Sequence, residues 1–531
     1  MRPFETEFAA DLRPDLADAY RAALPGARAG VLARLWRGLC VDPLPRVAGR
    51  RRVGAETVLT LTDGRRLAGP SGDWRFPEPT ADRPVTLDGR RHEHPAELLS
   101  ALAWPEAERL RAEIDHSVAG LALARANAVG PAAPFPRRTP VEHEQSVVDG
   151  HPLHPCCRNR TGFLATDHLA HGPEHGPVVG LDLLAVPPDA CLARGSWPAE
   201  LREGDALLLP LHPWQSRHVL PRLGLAPHRP GALPAHPLMA LRTFALDGRP
   251  WQVKTALSTR LTSSVRDISA GSTRSGVAVS DFLRNAVDRL DGPLRLQTTR
   301  ATAAVLVGGE PSPDLAAVIR DVPEARPGET VLPVAALTAR PRDGGCPPLC
   351  ALAGDDPAAW LAGFAALAVP PLVTLLAWGV ALEAHEQNLL LVLDGDRPAR
   401  LVYRDLADVR VHPERLDAAG LAGHDLPERL RTDTRGLHAK LFGSFVATTL
   451  AGLVTTLAAH APAERLWNAI GSRIRHAYDA LPGTPFARAD RRALLTAPIP
   501  AKPLTLMRLD PATPARAHRP NPFTPREEWG G

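Results

Sequence analysis

The sequence predicts an α+β protein with several lobes, and three observations lead to this prediction. The chain has 531 residues, more than one hydrophobic core usually supports. Helical spacing of apolar residues dominates the first part of the chain and returns after about residue 350, whereas the middle part holds short apolar runs separated by Pro, Gly and His, as strands and turns do. The apolar fraction of 44% and the charged fraction of 23% are those of a chain that folds.

Two changes of pattern divide the chain into three predicted lobes. The proline-rich segment at 130–140 opposes both helix continuation and sheet pairing, so it marks the first boundary. The return of helical patterning marks the second. We predict a mostly helical N-terminal lobe at 1–125, an α+β lobe at 126–345 and a helical lobe with one hairpin at 346–531.

The charge balance and the cysteine usage exclude several classes of protein. The 62 basic and 58 acidic residues leave a formal charge of +4, which gives no broad positive field for nucleic acid. The six cysteines are too sparse for a disulfide framework, and acidic residues near the N-terminus do not fit an export signal. We therefore expect a cytoplasmic protein without a nucleic-acid partner.

One segment, 361–382, is long and apolar enough to cross a bilayer, because it runs for 22 residues without a charge. Pro370 and Pro371 interrupt its pattern, no basic residues flank it, and it leads directly into a polar cluster. We therefore predict a buried core helix and no membrane partner.

Lysine is unusually rare in this chain. Arginine has replaced it almost everywhere, so each lysine that remains is worth examining as a candidate functional residue. The three lysines are Lys254, Lys440 and Lys502.

The first candidate binding segment is GHPLHPCCRNRTGF at 150–163. Its prolines exclude a regular helix, so His154 and Arg158 lie on an extended or turning chain that can present them to an anionic carboxylate or phosphate. A surface loop of turn residues is one alternative, and a zinc site with poor ligand spacing is another. The zinc ligands would be His151, His154, Cys156 and Cys157.

The second candidate segment is 241–269. The turn DGRP at 247–250 predicts a hairpin that sets Arg242 near Lys254, and two fixed cations can hold a polyphosphate. Hydroxyls and a guanidinium suited to a multiply charged carboxylate follow, namely Thr262, Ser263, Ser264 and Arg266. The alternative is a polar loop with one solvated arginine, and the retention of Lys254 argues against it.

The third candidate segment is 383–409. If its hairpin turns around Gly395, Asn388 lies opposite about Tyr403, and Asp405 follows two positions further along the partner strand. The two side chains can then share one divalent ion, as in the magnesium sites of protein kinases. Further polar groups complete this cluster, namely Glu383, His385 and Gln387.

Together these segments resemble the IucA/IucC family, the siderophore synthetases that act independently of nonribosomal peptide synthetases. The motifs that carry the resemblance lie within about 145–410 and are GHPLHPCCRNRTGF, LLLPLHPWQ, LRTF, KTALSTRLTSSVR, EAHEQN and YRDL. The resemblance implies a cupped hand of thumb, fingers and palm lobes, with a distantly kinase-like palm. It also implies a homodimer that uses ATP and Mg²⁺ to adenylate a polycarboxylate such as citrate, which an amine or hydroxylamine then attacks.

The resemblance further implies a role for each candidate residue. The nucleotide would be held by Arg242, Lys254, His385, Asn388 and Asp405. Magnesium would be held by Glu383, Asn388 and Asp405. The carboxylate substrate would be bound by His154, Arg158, Thr262, Ser263, Arg266 and Gln387. Catalysis would depend on Lys254, Arg266, His385 and Asp405.

The chain departs from the family pattern at two positions, and rival functions stay open. Family sequences commonly have a serine where this chain has Ala240, and many have a lysine in place of Arg158. The rivals are a non-catalytic polycarboxylate- or nucleotide-binding protein and a zinc-dependent hydrolase. The sequence leaves the acid open among citrate, α-ketoglutarate and a citryl or succinyl monoamide, and it does not identify the amine.

Overall fold

The structure is a computed structural model that describes residues 2–130, 135–262, 264–341, 344–423, 425–512 and 516–524. Helices and strands alternate along these residues, so the fold is mixed α+β, as the sequence predicted. The three-lobed cupped hand and the kinase-like palm stay predictions.

The N-terminal part is a helical layer packed on a small sheet. Its helices are α1 (Pro3–Asp11), α2 (Pro14–Val41), α3 (Pro95–Leu102) and α4 (Glu108–Asn127). Its strands are β1 (Val47–Val53), β2 (Glu56–Leu61), β3 (Arg66–Pro70), β4 (Val85–Leu87) and β5 (Arg90–His92). These strands pair in chain order as an antiparallel meander, where the sequence indicated only one short strand-like piece.

The middle part is built on a nine-stranded sheet. Its helices are α5 (Pro140–Gln145), α6 (Ala165–His171), α7 (Pro213–His218), α8 (Ala270–Asp288) and α9 (Val334–Leu337). Its strands are β6 (Val179–Val186), β7 (Cys191–Gly195), β8 (Arg202–Glu203), β9 (Ala206–Leu211), β10 (Arg229–Pro237), β11 (Thr243–Ala245), β12 (Trp251–Thr255), β13 (Leu257–Leu261), β14 (Ser264–Arg266), β15 (Leu294–Leu296), β16 (Thr299–Val307), β17 (Glu310–Asp321) and β18 (Glu329–Pro333). The large sheet has the order β7-β16-β17-β12-β11-β10-β6-β9-β8, and β13 and β14 form a separate hairpin.

The C-terminal part is mainly helical. Its helices are α10 (Pro348–Ala353), α11 (Pro357–Ala377), α12 (Pro413–Ala418), α13 (Thr434–Leu441), α14 (Ala451–Leu457), α15 (Ala463–Asp479), α16 (Pro485–Thr496) and α17 (Leu506–Leu509). Its strands are β19 (Val380–Ala381), β20 (Leu389–Asp394), β21 (Arg397–Tyr403), β22 (Arg410–Val411), β23 (Ile499–Ala501) and β24 (Ala517–Arg519). A π-helical stretch, Phe442–Leu450, joins α13 to α14.

One packed core crosses residue 345, where the sequence predicted a lobe boundary. The sheet of order β15-β21-β20-β18 takes two strands from each side of that position. Leu283 of α8 and Leu332 of β18 share a buried core with Leu391 and Leu401 of the C-terminal hairpin. The three-lobe division stays a prediction, but contacts in this core do not stop at 345.

The C-terminal segment returns to the N-terminal helices. Arg508 forms a buried ion pair with Glu113 of α4, and Leu506 and Leu509 lie in the core of the N-terminal part. The backbone N–H groups of Thr505 and Leu506 donate to a carboxylate oxygen of Asp42, at 2.7 and 3.1 Å. This docking fixes the position of Lys502, which precedes it.

Among the residues that the structure describes, two helices are long and apolar enough to cross a membrane by length and composition, Pro357–Ala377 and Thr434–Leu457. Both are largely buried inside the protein, so the predicted core helix is confirmed. Pro370 and Pro371 lie within α11 and do not interrupt it, contrary to the expectation from sequence. Packing of the helix against the core compensates for the two missing N–H donors.

A fully buried ion pair in the C-terminal part gives a test of stability. Arg415 and Asp490 are both 0% exposed, and their closest atoms are 2.7 Å apart. Asp490→Ala leaves the Arg415 charge buried without its partner, so we expect the free energy of unfolding to fall by about 3–5 kcal/mol. Denaturant unfolding followed by tryptophan fluorescence measures the change.

The control is Asp18→Ala, which removes the partner of Arg21 in an exposed ion pair. Solvent screens that pair, so we expect a change within about 0.5 kcal/mol. Equal destabilisation by the two variants would contradict the assignment of a structural role to the buried pair.

Candidate active site

The candidate site is centred on Asp405, which directly follows the hairpin of β20 and β21. Lys254 of β12 donates a hydrogen bond to Asp405 Oδ1, and Arg320 of β17 lies 3.9 Å from the same oxygen. Arg242 stands just before β11, and its backbone oxygen accepts a hydrogen bond from Thr255 N at 2.9 Å. Neighbouring strands of the large sheet thus bring three cations to one carboxylate.

The predicted hairpin that joins Arg242 to Lys254 is confirmed. β11 pairs with β12, and Thr243 lies opposite Lys254, so Arg242 stands next to the residue that pairs with the lysine. Arg320 is a member of the group that the sequence did not indicate. It lies on the adjacent strand opposite Gln252, whose side chain accepts a hydrogen bond from the Arg320 guanidinium at 3.1 Å.

The cations perturb one another and the carboxylate. Burial lowers the pKa of Lys254 to about 8; Arg242 and Arg320 add to this effect, and Asp405 opposes it. Burial also lowers the pKa of Arg242 and of Arg320 to about 10. Burial alone would raise the pKa of Asp405, but Lys254, Arg320 and Arg242 hold it well below its usual range. Three cations around one carboxylate, with Arg320 buried and Arg242 and Lys254 half-buried, leave an excess of positive charge, and a polyanion suits such a place.

A second ion cluster surrounds Glu383. Lys502 Nζ is 2.5 Å from one carboxylate oxygen of Glu383, and Lys440 Nζ is 3.4 Å from the other. Lys502 and Lys440 hold the pKa of Glu383 low, although burial raises it. All three lysines of the chain therefore pair with an acidic residue of the candidate site, Lys254 with Asp405 and the other two with Glu383.

His385 interacts electrostatically with both ion clusters. Its Nδ1 accepts a hydrogen bond from Gln387 N at 3.2 Å. Burial lowers its pKa to about 4, with Glu383 and Asp405 opposing the shift and Lys502 adding to it. The imidazole is therefore neutral at neutral pH with its proton on Nε2, so it presents a hydrogen-bond donor to a ligand.

The same geometry recurs in the two His-Pro pairs of the first segment. Nδ1 of His151 accepts from Leu153 N at 3.1 Å, and Nδ1 of His154 accepts from Cys156 N at 2.9 Å. Proline at the next position has no N–H, so the ring takes the N–H of the residue after it. Burial lowers the pKa of His154 to about 3, so its outer nitrogen also carries the proton.

Arg266 and Thr262 belong to the hairpin of β13 and β14. An Arg266 N–H donates to Thr262 Oγ1 at 2.9 Å, while Arg242 donates to the backbone oxygen of Arg266. Burial lowers the pKa of Arg266, and Asp405 and Glu383 oppose this, so the guanidinium lies within the field of both acidic residues. Ser263, the remaining hydroxyl of the predicted set, lies outside the described residues.

Backbone strain is concentrated at this site. Among the described residues, Leu241, Thr262 and Asp405 are three of the five non-glycine residues with positive φ, at 67°, 51° and 66°. Such conformations cost about 1–3 kcal/mol each and persist where the surrounding structure enforces them, often at functional sites. Each of these three residues is a predicted site residue or lies next to one in the chain.

Arg158 does not take the predicted place in the carboxylate set. Its buried guanidinium donates to the backbone oxygens of Val147 and Val148 and lies 3.2 Å from Glu174. These partners occupy its donors and turn it away from a ligand. Gln387 contributes through its backbone, because its N–H positions His385 and its oxygen accepts from Arg404 Nε at 2.9 Å.

The hairpin register differs by one residue from the expectation. The pairs nearest the turn follow it, but an irregularity between Val392 and Leu393 shifts the ladder, so Tyr403 lies opposite Leu389 and not Asn388. The backbone oxygen of Asn388 accepts from Arg404 N at 3.0 Å. Asp405 is therefore even closer to Asn388 along the ladder than the sequence indicated.

The oxygen donors of Asp405 and Asn388 fit a divalent ion. Within the described part of the chain, Asp405 Oδ2 and Asn388 Oδ1 accept no hydrogen bond, while Asn388 Nδ2 donates to Glu383 O at 3.2 Å. Carboxylate and amide oxygens are the ligands that Mg²⁺ prefers. The carboxylate of Glu383 fits less well, because a lysine lies against each of its oxygens.

The zinc interpretation of the first segment finds no support among the residues that the structure describes. Nδ1 of His151 and of His154 are taken by backbone N–H groups. The Cys156 thiol contacts Glu113, and the Cys157 thiol contacts Ser117. No group of three metal-ligating side chains forms at this segment within the described ranges.

Two family models match separate stretches of the chain. The model of the IucA / IucC family matches residues 139–339. A second model, described as Ferric iron reductase FhuF-like transporter, matches residues 358–516.

Solved structures show the same fold. Petrobactin biosynthesis protein AsbB from Bacillus anthracis str. Sterne has a TM-score of 0.77 at 18% identity, over 98% of each chain. ATP-bound aerobactin synthetase IucA from a hypervirulent pathotype of Klebsiella pneumoniae has a TM-score of 0.72 at 20% identity, over 94% of this chain and 99% of that one.

The sequence comparison with curated proteins agrees with the family model. A curated relative from Staphylococcus aureus (strain NCTC 8325 / PS 47), 2-[(L-alanin-3-ylcarbamoyl)methyl]-3-(2-aminoethylcarbamoyl)-2-hydroxypropanoate synthase, is 25% identical over 52% of this chain and 53% of its own length. The chain spans about half the length of the curated relatives it matches. The family model and the curated relatives agree with the motifs, and the chain matches the IucA/IucC family over residues 139–339.

Proposed function

We propose that the protein is an ATP-dependent synthetase of siderophore biosynthesis that adenylates a carboxylate of citrate, or of a related polycarboxylate, and joins it to an amine or hydroxylamine. The observation that carries this proposal is the excess of cations around Asp405, to which Lys254, Arg242 and Arg320 contribute. Such a group suits a triphosphate. The ATP named with the related aerobactin synthetase supports this choice of ligand.

The nature of the acid is supported by the product named for the Staphylococcus aureus relative. That name describes a 2-hydroxypropanoate with two carbamoyl arms, which is citrate with both terminal carboxylates converted to amides. In this chain, Arg266 and Thr262 provide a guanidinium and a hydroxyl for an acid, and His154 provides an uncharged donor. A guanidinium, a hydroxyl and a neutral imidazole together suit an acid with several carboxylates.

In the first half-reaction, a carboxylate oxygen of the acid attacks the α-phosphorus of ATP. A carboxylate–phosphorus bond forms, the bond to the β-phosphate oxygen breaks, and pyrophosphate leaves. Lys254, Arg242 and Arg320 reduce the repulsion between the two anions and stabilise the charge that develops on pyrophosphate. When bound, Mg²⁺ would be held by Asp405 and Asn388 and would neutralise further phosphate charge.

In the second half-reaction, an amine nitrogen attacks the activated acyl carbon, and AMP leaves with the electrons of the broken carbon–oxygen bond. The neutral His385 is suited to donate its Nε2 hydrogen to an oxygen of the acyl phosphate group. It is not suited to remove the amine proton, because the nitrogen that lacks hydrogen already accepts from Gln387 N. The proton leaves to solvent or to the departing phosphate.

We also propose the cupped-hand arrangement of lobes, a cytoplasmic homodimer and a distantly kinase-like palm. The palm proposal is supported by the hairpin of β20 and β21, in which Arg404 N donates to Asn388 O and Asp405 is the next residue, because kinases also hold magnesium with an asparagine and an aspartate. Sedimentation of the full chain would show whether it is a dimer.

Trapping with hydroxylamine tests the proposed reaction. The full chain is incubated with ATP, Mg²⁺, hydroxylamine and one acid from a panel of citrate, α-ketoglutarate and succinyl or citryl monoamides. We expect an acid hydroxamate and AMP, detected by mass spectrometry, with citrate or a citryl derivative as the best acid. Binding of citrate without AMP formation would instead support the non-catalytic binding protein.

The pKa of Lys254, lowered by burial to about 8, predicts how activity depends on pH. The protonated lysine binds phosphate, and this form is lost as the pH rises through 8. We expect kcat/KM for ATP to fall by about tenfold per pH unit above that value. In Lys254→Arg the side chain stays protonated, so this alkaline fall should disappear even if the maximal rate is lower. An unchanged alkaline limb in Lys254→Arg would assign the ionisation to another group.

A further inference from the structure

A cluster of two cysteines and one histidine lies outside the candidate active site. It consists of Cys346, Cys350 and His460, whose ligand atoms all lie within 4.8 Å of one another. The Cys346 Sγ is 3.4 Å from His460 Nε2. Cys350 belongs to α10, Cys346 stands just before it, and His460 lies in the connection between α14 and α15. Nothing in the sequence indicated that His460 would lie beside the two cysteines.

The spacing of these atoms suits one tetrahedral ion. Two sulfur ligands of a zinc ion are ~3.8 Å apart, and a sulfur and a nitrogen ligand are ~3.6 Å apart, given zinc–sulfur and zinc–nitrogen bonds of ~2.3 and ~2.05 Å. The three ligand atoms therefore need to move little to surround an ion. Within the described ranges, no other group of three His, Cys, Asp or Glu side chains meets this condition.

The ligand types select the metal. Two thiolates and one imidazole are soft and borderline ligands, which favour zinc over magnesium or calcium. Cys346 and His460 are exposed and Cys350 is half-buried, so an ion can reach the site from solvent. The same exposure leaves the fourth position to a water molecule.

We propose that Cys346 Sγ, Cys350 Sγ and His460 Nε2 bind one zinc ion, with water as the fourth ligand. The ion ties the chain before α10 to the turn that follows α14. Leu349, between the two cysteines, is buried in the C-terminal core, so this tie anchors a core segment. The site is separate from the reaction proposed above, and its metal is independent of the Mg²⁺ proposed at Asp405.

Metal analysis of the full chain tests the site. The reduced protein is loaded with Zn²⁺, desalted and analysed for bound metal, and Co²⁺ is titrated as a spectroscopic probe. We expect one zinc per chain and a cobalt spectrum with thiolate-to-metal charge transfer. Cys350→Ser and His460→Gln should each weaken zinc binding by more than about 100-fold, a greater loss than removal of an outer hydrogen-bond partner causes.

The control is Cys191→Ser, which removes a half-buried thiol of β7 far from the cluster in sequence. It should retain one zinc per chain. The proposal is wrong if the wild-type chain binds no zinc under reducing conditions, if His460→Gln binds as tightly as Cys191→Ser, or if a Cys346–Cys350 disulfide persists in the reduced preparation. His460→Gln leaves both thiols in place, and its circular dichroism shows whether it folds.

Discussion

Lys254→Met is expected to lower the rate of acid-dependent exchange between pyrophosphate and ATP by about 100- to 1000-fold. The ammonium group lies against Asp405 and beside Arg242 and Arg320, where phosphate charge would be held. Methionine has a similar length without the charge, so the variant removes the electrostatic contribution and keeps most of the packing. Initial rates of isotope exchange at saturating ATP and citrate measure the effect.

The matched control is Arg222→Met, which removes an exposed cation outside the site. Its exchange rate should stay within about twofold of the wild type, as for most surface changes. Equal losses in both variants would mean that net charge, and not the position of Lys254, determines the rate. Retention of full activity by Lys254→Met would remove this lysine from the proposed mechanism.

Asp405→Asn is expected to abolish exchange and also to destabilise the protein. The carboxylate is the shared anionic partner of Lys254 and Arg320, so its loss leaves buried cations in mutual repulsion. We expect a loss of roughly 2 kcal/mol, below the 3–5 kcal/mol typical of fully buried pairs, because a third of the Asp405 side chain is exposed. Thermal unfolding with and without pyrophosphate measures the loss of stability, and isotope exchange between pyrophosphate and ATP measures the loss of activity.

A double variant shows whether Asp405→Asn acts through charge imbalance or through a general folding defect. In the double variant Lys254→Met/Asp405→Asn, one cation is removed with the anion, so part of the lost stability should return. Pyrophosphate should stabilise Asp405→Asn more than the wild type, since it supplies the missing negative charge. Strictly additive effects and no extra stabilisation by pyrophosphate would contradict the proposed cation group.

The parts of the site that could be predicted from sequence are those that local patterns determine. The DGRP turn fixed the pairing of β11 with β12, which sets Arg242 beside Lys254. The turn around Gly395 gave the hairpin that leads to Asp405. The predicted register of this hairpin differs from the observed register by one residue, because the irregularity at Val392 has no clear sequence signal.

Contacts between distant segments could not be predicted in the same way. Arg320 reaches Asp405 only because β17 lies next to β12 in the large sheet, and no motif marks it. Lys502 reaches Glu383 because the C-terminal segment docks on the N-terminal helices. The rarity of lysine marks Lys502 as a candidate functional residue, but the sequence-based prediction assigned a role only to Lys254.

Burial explains the error at Arg158. A segment rich in His, Pro and Arg indicated a set of ligand-binding side chains. Sequence alone does not show which of its arginines forms hydrogen bonds and ion pairs inside the protein. Glu174, 16 positions further along the chain, lies against both Arg158 and Arg160. In His151 and His154 of the same segment, Nδ1 accepts from a backbone N–H group, so the hydrogen of the neutral ring lies on Nε2.

The central claim is that the cation group at Asp405 holds ATP while an acid attacks its α-phosphorus. The most direct test is Mg²⁺-dependent incorporation of labelled pyrophosphate into ATP by the full chain, with and without citrate. We predict incorporation that requires both Mg²⁺ and a polycarboxylate and is absent in Lys254→Met. Formation of ADP and phosphate, or the absence of any polycarboxylate-dependent exchange, would contradict the account.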